Sequence, residues 1–205
     1  MEQMIKSGVT LDAAQNIAIM LHGRGGDAQG ILGLKDQLNL KGFALLALQA
    51  ENHTWYPFSF MAPDNENEPF LSRSLEKIDH VVNEVLQQGK DLSQIFIIGF
   101  SQGACLALEY AARNASIFGG IIAFTGGLIG QNIKKEKYQG AFNDTSIFIG
   151  ASHQDFHVPL ARINDSADLM ANMGADIKTL IFKDTLHTIR KKEIDWVNQN
   201  ILTGF

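Results

Sequence analysis

The sequence predicts an α/β fold in which a mainly parallel central sheet is flanked by helices. Short apolar runs alternate with longer amphipathic segments, which is typical of such a sheet. The short runs are apolar along their whole length, as expected for strands that helices cover on both faces. The predicted strands span residues 17–21, 43–48, 95–100, 120–124, 146–149 and 175–182, and residues 5–11 are expected to add an antiparallel edge strand.

The helices are predicted from apolar residues at helical spacing and from their stop signals. Residues 71–87 carry one apolar stripe and are followed by Gly89. Further helices are predicted over residues 102–114, 159–173 and 188–201. Residues 57–69 show no period and are expected to form a loop, and long loops in compact proteins often serve function. With no repeat or linker, one domain is predicted over residues 1–205.

Composition narrows the function classes. The 205 residues carry a formal net charge of −5, and the densest basic cluster, Lys134, Lys135 and Lys137, is interrupted by Glu136. Nucleic acid is therefore not an expected partner. The single cysteine excludes an internal disulfide and fits a reducing compartment. The N-terminal residues lack the pattern of a signal peptide, and no apolar run approaches the ~20 residues of a membrane span. A cytoplasmic protein is expected.

A G-x-S-x-G pentapeptide at residues 99–103 follows an apolar strand and opens a helix. A serine hydroxyl needs a base and an exposed position to act as a nucleophile, and a sharp strand-to-helix turn provides that position. The alternative is an ordinary strand–turn–helix junction with an incidental serine. Cys105 is the rival nucleophile, but it lies inside the predicted helix and is expected to pack as a small apolar side chain. Ser101 is the predicted nucleophile.

The base and the acid are sought downstream of Ser101, because in α/β-hydrolases the order is serine, acid, histidine, each beyond the end of a strand. His187 alone follows the last predicted strand and precedes the last helix, so it is the predicted base. His153 and His157 are expected to face solvent or support the site.

Asp155 follows the strand at 146–149 and is the favoured acid. Asp144 precedes that strand, at the wrong end of the sheet. Asp184, close to His187 in sequence, is the competitor, although a role in shaping the turn suits it better.

A glycine-rich turn, residues 22–26, directly follows the first core strand. Such a turn lets the backbone approach a substrate and offers an oxyanion donor, with a second from the residue after the nucleophile. The two donors are expected to be the amides of Arg24 and Gln102, and Gly23 is expected to contact substrate. A phosphate cradle is the alternative, but no Walker A pattern follows. His22 lacks a second metal ligand at a useful spacing and is expected to make a structural hydrogen bond.

Four ordered motifs, at residues 21–25, 99–104, 155–159 and 187–189, give the chain a resemblance to the phospholipase/carboxylesterase family, which includes acyl-protein thioesterases and small bacterial esterases. Residues 55–63 and 67–69 resemble a bacterial carboxylesterase subgroup. The resemblance covers essentially the whole chain and implies an α/β-hydrolase fold. The small lid-forming content of residues 126–143 predicts a minimal lid, an open site and modest substrates.

The resemblance further implies a Ser101–Asp155–His187 triad, backbone oxyanion donors at Arg24 and Gln102, and no cofactor or metal. It places the aromatic loop of Trp55 and Phe60 beside the acyl pocket, although packing of these rings in the core is an equal alternative. The implied partner is a small-molecule ester, and exposed aromatics on this loop would permit a homodimer.

The sequence departs from the family at two positions. The proline–glycine turn that usually precedes the histidine is absent from residues 182–187, and Phe156 replaces a frequent proline. The expected function is hydrolysis of carboxylic esters with small or medium acyl groups through an acyl-serine intermediate. An acyl-protein thioesterase or lysophospholipase, and a non-catalytic binding protein on the same fold, are the alternatives.

Overall fold

The computed structural model describes residues 4–203. Residues 1–3 and 204–205 of the predicted 1–205 domain lie outside the described residues. Met1, Glu2 and Gln3 also belong to the N-terminal segment that lacks a signal-peptide pattern. The chain forms one sheet of seven strands in the order β1-β3-β2-β4-β5-β6-β7. The strands are β1 Met4–Gly8, β2 Asn16–Leu21, β3 Phe43–Leu48, β4 Ile95–Phe100, β5 Gly120–Phe124, β6 Ser146–Ser152 and β7 Asp176–Phe182. All neighbours are parallel except β1, which pairs antiparallel with β3. The predicted α/β sheet is confirmed.

Within residues 4–203, five α-helices connect and cover the strands. They are α1 Ala28–Leu32, α2 Phe70–Gln87, α3 Gln102–Arg113, α4 Leu160–Asn172 and α5 Lys191–Asn200. The predicted helix at 188–201 begins three residues later than expected, because residues 188–190 belong to the loop that carries His187. The sequence did not indicate α1, whose five residues are too few to show a helical period. No helix within residues 4–203 is long and apolar enough to cross a membrane.

The core lies on both faces of the sheet. Alternate residues of β2 point to opposite sides: Ile17, Ile19 and Leu21 join the face that α2, α3 and α4 cover, whereas Ala18 and Met20 face α1 and α5. This double covering explains why β2–β6 are apolar along their length. The same expectation is wrong for β7, which contains Asp176, Lys178 and Thr179 and has no fully buried residue, because β7 is an edge strand and is only partly covered.

The turn between β4 and α3 depends on two glycines that let backbones pass in contact. A Cβ on Gly99 would lie 2.3 Å from the carbonyl oxygen of Gly103. A Cβ on Gly103 would lie 2.2 Å from the carbonyl oxygen of Leu21, at the end of β2. Real Cβ atoms do not approach backbone oxygens so closely, so any side chain at these positions would push α3 away from the sheet.

We therefore expect Gly103→Ala to lower the free energy of unfolding by more than about 3 kcal/mol, because the clash is with backbone and no rotamer change relieves it. Gly33→Ala is the matched control, since Gly33 has φ −58° and nothing lies within 4 Å of the added methyl group. Urea denaturation of both variants measures the difference. Equal stability of the two variants would contradict the close crossing at Gly103.

Candidate active site

Ser101 sits at the tip of the turn between β4 and α3 in a conformation that serine rarely adopts. Its φ and ψ are 54° and −116°, outside the regions that L-residues favour. The backbone around it holds this geometry: the Ser101 N–H donates to the carbonyl of Phe124 at 2.9 Å, and its own carbonyl accepts from the N–H of Cys105 at 3.0 Å. The hydroxyl is consequently raised above the carboxyl edge of the sheet.

The three predicted side chains meet in one hydrogen-bonded line. Nε2 of His187 lies 2.7 Å from Oγ of Ser101, and Nδ1 of His187 lies 2.7 Å from Oδ2 of Asp155. A carboxylate accepts, so Nδ1 donates its proton to Asp155 and Nε2 accepts from the serine hydroxyl. This arrangement enables the imidazole to take the hydroxyl proton.

Asp155 is held as a carboxylate behind the histidine. Burial acts to raise its pKa, but hydrogen bonds from His187 and from the backbone N–H groups of His157 and Val158 outweigh burial and hold the pKa below its usual range. The side chain is fully covered. A buried negative charge beside Nδ1 favours the imidazolium that forms when His187 takes a proton.

Asp184, the competing acid, does not contact His187. Its Oδ1 accepts from the hydroxyl of Ser152, the N–H of Leu186 and the guanidinium of Arg190, at 2.8, 3.0 and 2.6 Å. The Arg190 guanidinium also lies 4.4 Å from the ring centre of Phe182. Asp184 therefore shapes the loop that carries His187, where the sequence lacks the proline–glycine turn.

Of the two other downstream histidines, one reaches the site. The side chain of His153 is exposed, and its backbone N–H donates to the carbonyl of Phe182. The exposed ring of His157 packs against that of His187, with centroids 4.9 Å apart and planes at 64°. His157 is thus next to the catalytic candidates through both its backbone and its ring.

His22 organises the glycine-rich turn after β2. Its Nε2 accepts from the N–H of Ala50 at 3.1 Å, so Nδ1 carries the proton and donates to the carbonyl of Gly23 at 2.7 Å. Burial lowers the pKa of this imidazole, in keeping with a neutral structural role. The N–H of Gly26 donates to the same Gly23 carbonyl at 3.0 Å.

This pinned carbonyl orients the next amide. In a trans peptide the N–H points opposite to the C=O, so the Arg24 N–H is turned away from His22. It makes no hydrogen bond with any group in residues 4–203. Gly23 itself lies against Ser101, since a Cβ on Gly23 would be 3.4 Å from the Cβ of Ser101. The N–H of Gln102, the first residue of α3, has no partner within the helix.

A cavity of about 530 Å³ opens at this site. Five of the predicted site residues line it: Ser101, His187, Phe60, Arg24 and Gln102. Its walls are formed by Arg24, Tyr56, Pro57, Phe58, Ser59, Phe60, Ser101, Gln102, Cys105, Phe156, His157, Val158 and His187. No residue of the segment 126–143 lines the cavity.

Trp55 does not reach this cavity, which corrects its expected role in binding substrate. The side chain is 2% exposed and packs in the core, and its indole N–H donates to the carbonyl of His22 at 2.8 Å. The alternative of core packing is the correct one for Trp55, because the indole N–H needs a buried acceptor and finds it beneath the glycine-rich turn.

The side chains of Arg24 and Gln102 hold the loop that forms one wall. Arg24 donates to the carbonyls of Pro57 and Phe58 at 2.8 and 2.6 Å. The amide of Gln102 donates to the carbonyl of Tyr56 at 2.8 Å and accepts from the N–H of Trp55 at 3.0 Å. The sequence indicated only backbone roles for Arg24 and Gln102.

Cys105 also borders the cavity, yet it is buried and burial raises the pKa of its thiol to about 12. It is therefore a protonated thiol at neutral pH, unlike an activated cysteine nucleophile.

Four lining residues were not predicted to contact substrate: Tyr56, Phe58, Phe156 and His157. Phe156 is 89% exposed and Phe58 is 54% exposed. The sequence feature that could have indicated Phe58 and Phe156 is the presence of a large apolar residue within a polar loop. Within residues 4–203 no cluster of three metal-ligating side chains is present.

Comparison with known proteins shows which family shares this fold and these motifs. The sequence profile described as Phospholipase/Carboxylesterase matches residues 9–203. A crystal structure of a phospholipase/carboxylesterase from Dyadobacter fermentans is 45% identical, covers 99% of this chain and 97% of its own, and has a TM-score of 0.97. The Bacillus cereus carboxylesterase shares the fold at 18% identity and a TM-score of 0.79, with coverage of 98% and 94%.

A curated relative, acyl-protein thioesterase 1 of Saccharomyces cerevisiae, is 34% identical over 119 residues. That match covers 58% of this chain and 51% of the yeast protein, so the chain spans about half the length of this relative. The profile match over nearly all of the described residues, together with the sheet and the motifs, leads to one conclusion. The chain belongs to the phospholipase/carboxylesterase family and has the α/β-hydrolase fold.

Proposed function

We propose that this protein is a serine hydrolase that cleaves carboxylic esters of small or medium acyl groups through an acyl-serine intermediate. The observation that carries the proposal is the continuous line from Ser101 Oγ through His187 to Asp155, with both hydrogen bonds at 2.7 Å. The membership of the family and the 45% identity to a phospholipase/carboxylesterase support the reaction class.

In the first half of the reaction, His187 Nε2 takes the proton from Ser101 as Oγ attacks the ester carbonyl. The negative charge that develops on the carbonyl oxygen would be met by the N–H groups of Arg24 and Gln102, neither of which is hydrogen-bonded to another group in residues 4–203. Donors fixed in this way stabilise the oxyanion without reorganising during the reaction. The tetrahedral intermediate then collapses, the C–O bond to the alcohol breaks, and His187 gives its proton to the leaving alkoxide.

The second half repeats these steps with water. His187 takes a proton from water as its oxygen attacks the acyl-serine, and then returns the proton to Ser101 as the carboxylic acid leaves. Asp155 holds the imidazole orientation in both halves and offsets the charge of the imidazolium. No cofactor is needed in this scheme.

The residues that line the cavity support the proposal of small or medium substrates with an apolar part. Phe58 and Phe156 stand exposed at its mouth, and the 126–143 segment does not cover it. Part of that segment is fixed in place, since Arg162 donates to the carbonyls of Leu128 and Gly130 and the N–H of Gly130 donates to the carbonyl of Phe60. An uncovered cavity of this size favours small or medium acyl groups over long chains.

We expect Ser101→Ala to abolish hydrolysis of p-nitrophenyl acetate and covalent labelling by a fluorophosphonate, with no change in the circular dichroism spectrum. Cys105→Ala is the matched control, because it removes the other nucleophilic atom of the cavity and should retain both activities. Each substitution removes one nucleophilic atom, so the pair identifies the atom that reacts. Labelling that survives Ser101→Ala, or no labelling of the unmodified protein, would disprove the serine mechanism and favour a binding protein.

The assignment of the acid is tested by a pair of isosteric substitutions. Asp155→Asn should lower kcat by about 10³–10⁴, because an amide can leave the imidazole in the wrong tautomer. Asp184→Asn should lower kcat far less, since Asp184 acts only on the loop through Ser152 and Arg190. Steady-state kinetics of both variants decide the matter. If Asp184→Asn costs as much as Asp155→Asn, the assignment of Asp155 alone is wrong.

The relation to yeast acyl-protein thioesterase 1 favours thioester hydrolysis as a second candidate function. The same atoms would perform it, with a thiolate as the leaving group. We expect kcat/KM for a p-nitrophenyl ester to exceed that for the matched acyl thioester, because p-nitrophenolate is expelled more readily than an alkanethiolate from the same tetrahedral intermediate. Rates on both substrates, at equal acyl length, measure the preference. The reverse order would favour the thioesterase.

A further inference from the structure

Arg24 carries an unmatched positive charge on the wall of the candidate active site. The side chain is exposed and lines the cavity beside Tyr56, with the guanidinium 5.9 Å from the centre of that ring. It forms no ion pair with any carboxylate in residues 4–203. The charge is therefore not neutralised within the described structure.

No acidic side chain lines the cavity, although the protein carries a net charge of −5. The carboxylate of Asp155 is covered and both of its oxygens are engaged by His187, His157 and Val158. Asp27, on the same turn as Arg24, accepts from the N–H of Gly30 at the start of α1.

The remaining titratable groups of the wall do not offset Arg24. Burial raises the pKa of Cys105 to about 12 and holds the pKa of Tyr56 well above its usual value, so neither is an anion at neutral pH. The other two are the rings of His157 and His187. The side chains that line the cavity next to Ser101 thus include the Arg24 cation and no carboxylate.

The guanidinium also keeps hydrogen-bonding capacity. It has five N–H donors, of which three hydrogen bonds to Thr54, Pro57 and Phe58 occupy three. Two donors have no partner among residues 4–203. The bonds to Pro57 and Phe58 fix the guanidinium in place, so a ligand would meet an already ordered donor group.

We propose that Arg24 binds a carboxylate on the substrate, so that the enzyme prefers esters in which the acyl or the alcohol part is anionic. This inference rests on the proposed ester hydrolysis and adds a substrate class to it. The backbone of Arg24 would face the reacting carbonyl while its side chain meets the charged end of the same molecule. Guanidinium groups match carboxylates in shape and charge.

The test uses nearly isosteric substrate pairs. Monoethyl succinate and ethyl levulinate differ by a carboxylate in place of an acetyl group on the acyl side. Acetoxyacetate and acetoxyacetone differ in the same way on the alcohol side. We expect kcat/KM of the unmodified enzyme to favour the anion by about fivefold to tenfold in at least one pair, the range for a charged hydrogen bond at a partly exposed site. Raising the salt concentration should reduce the ratio.

Three variants assign the preference. Arg24→Gln should bring the anion/neutral ratio close to one, whereas Arg24→Lys, which keeps the charge, should hold it above one. Arg73→Gln is the matched control: it removes an exposed arginine that stacks on Phe70 outside the cavity, and should leave the ratio unchanged. Because Arg24→Gln also loosens the loop at 54–58, the ratio is the measure rather than either rate, and fluorophosphonate labelling verifies that Ser101 is still reactive.

Each outcome decides the inference. A preference that disappears in Arg24→Gln alone supports it. A ratio of one in the unmodified enzyme, with neutral esters hydrolysed, overturns the carboxylate site and leaves the proposed function standing. A preference that survives in Arg24→Gln assigns the charge to another group, His157 first, and also overturns it. No hydrolysis of any ester and no labelling of Ser101 would reject the proposed function together with the inference.

Discussion

The contact between three backbone segments below Ser101 is the constraint on which the site depends. β4 enters the turn at Gly99, α3 leaves it at Gly103, and the end of β2 lies directly against α3. Since no Cβ separates these segments, the helix begins immediately after the strand and the serine is forced into its strained conformation. The same contact brings Gly23, two residues beyond the end of β2, next to Ser101. The proposed nucleophile and one proposed oxyanion donor are therefore positioned by a single crossing.

A second set of interactions holds the histidine loop against this fixed point. Arg190 binds Asp184 and Ser152 and lies over Phe182, so it connects the start of α5 to the ends of β6 and β7. Behind it, Glu193 is fully buried, and burial raises the pKa of its carboxyl group to about 7. These polar groups stabilise the position of His187 in a loop that contains no proline or glycine between residues 182 and 187.

The order of strands and helices could be predicted from the sequence because it depends on local patterns. Apolar runs identified β2–β6, and the pentapeptide, the histidine and the acid each followed a strand end where parallel strands collect their functional groups. The prediction was weaker where burial depends on a partner far along the chain. β7 is only partly buried because it is an edge strand, and Trp55 is buried with its indole N–H bound to the carbonyl of His22. Neither feature has a local signature.

The sequence by itself determined the type of fold, the identity of the serine and histidine candidates, and the position of the glycine-rich turn, since each rests on residue types at short spacing. Only the tertiary structure decided that Asp155 contacts His187 while Asp184 shapes its loop, because two acids that both follow strands differ only in which way their loops fold. Only the structure, likewise, brought Arg24 into a cavity without an acidic side chain. Residues 24, 58, 156 and 187 come from four separate loops, and their charges and apolar surfaces combine only when the sheet aligns those loops at one edge.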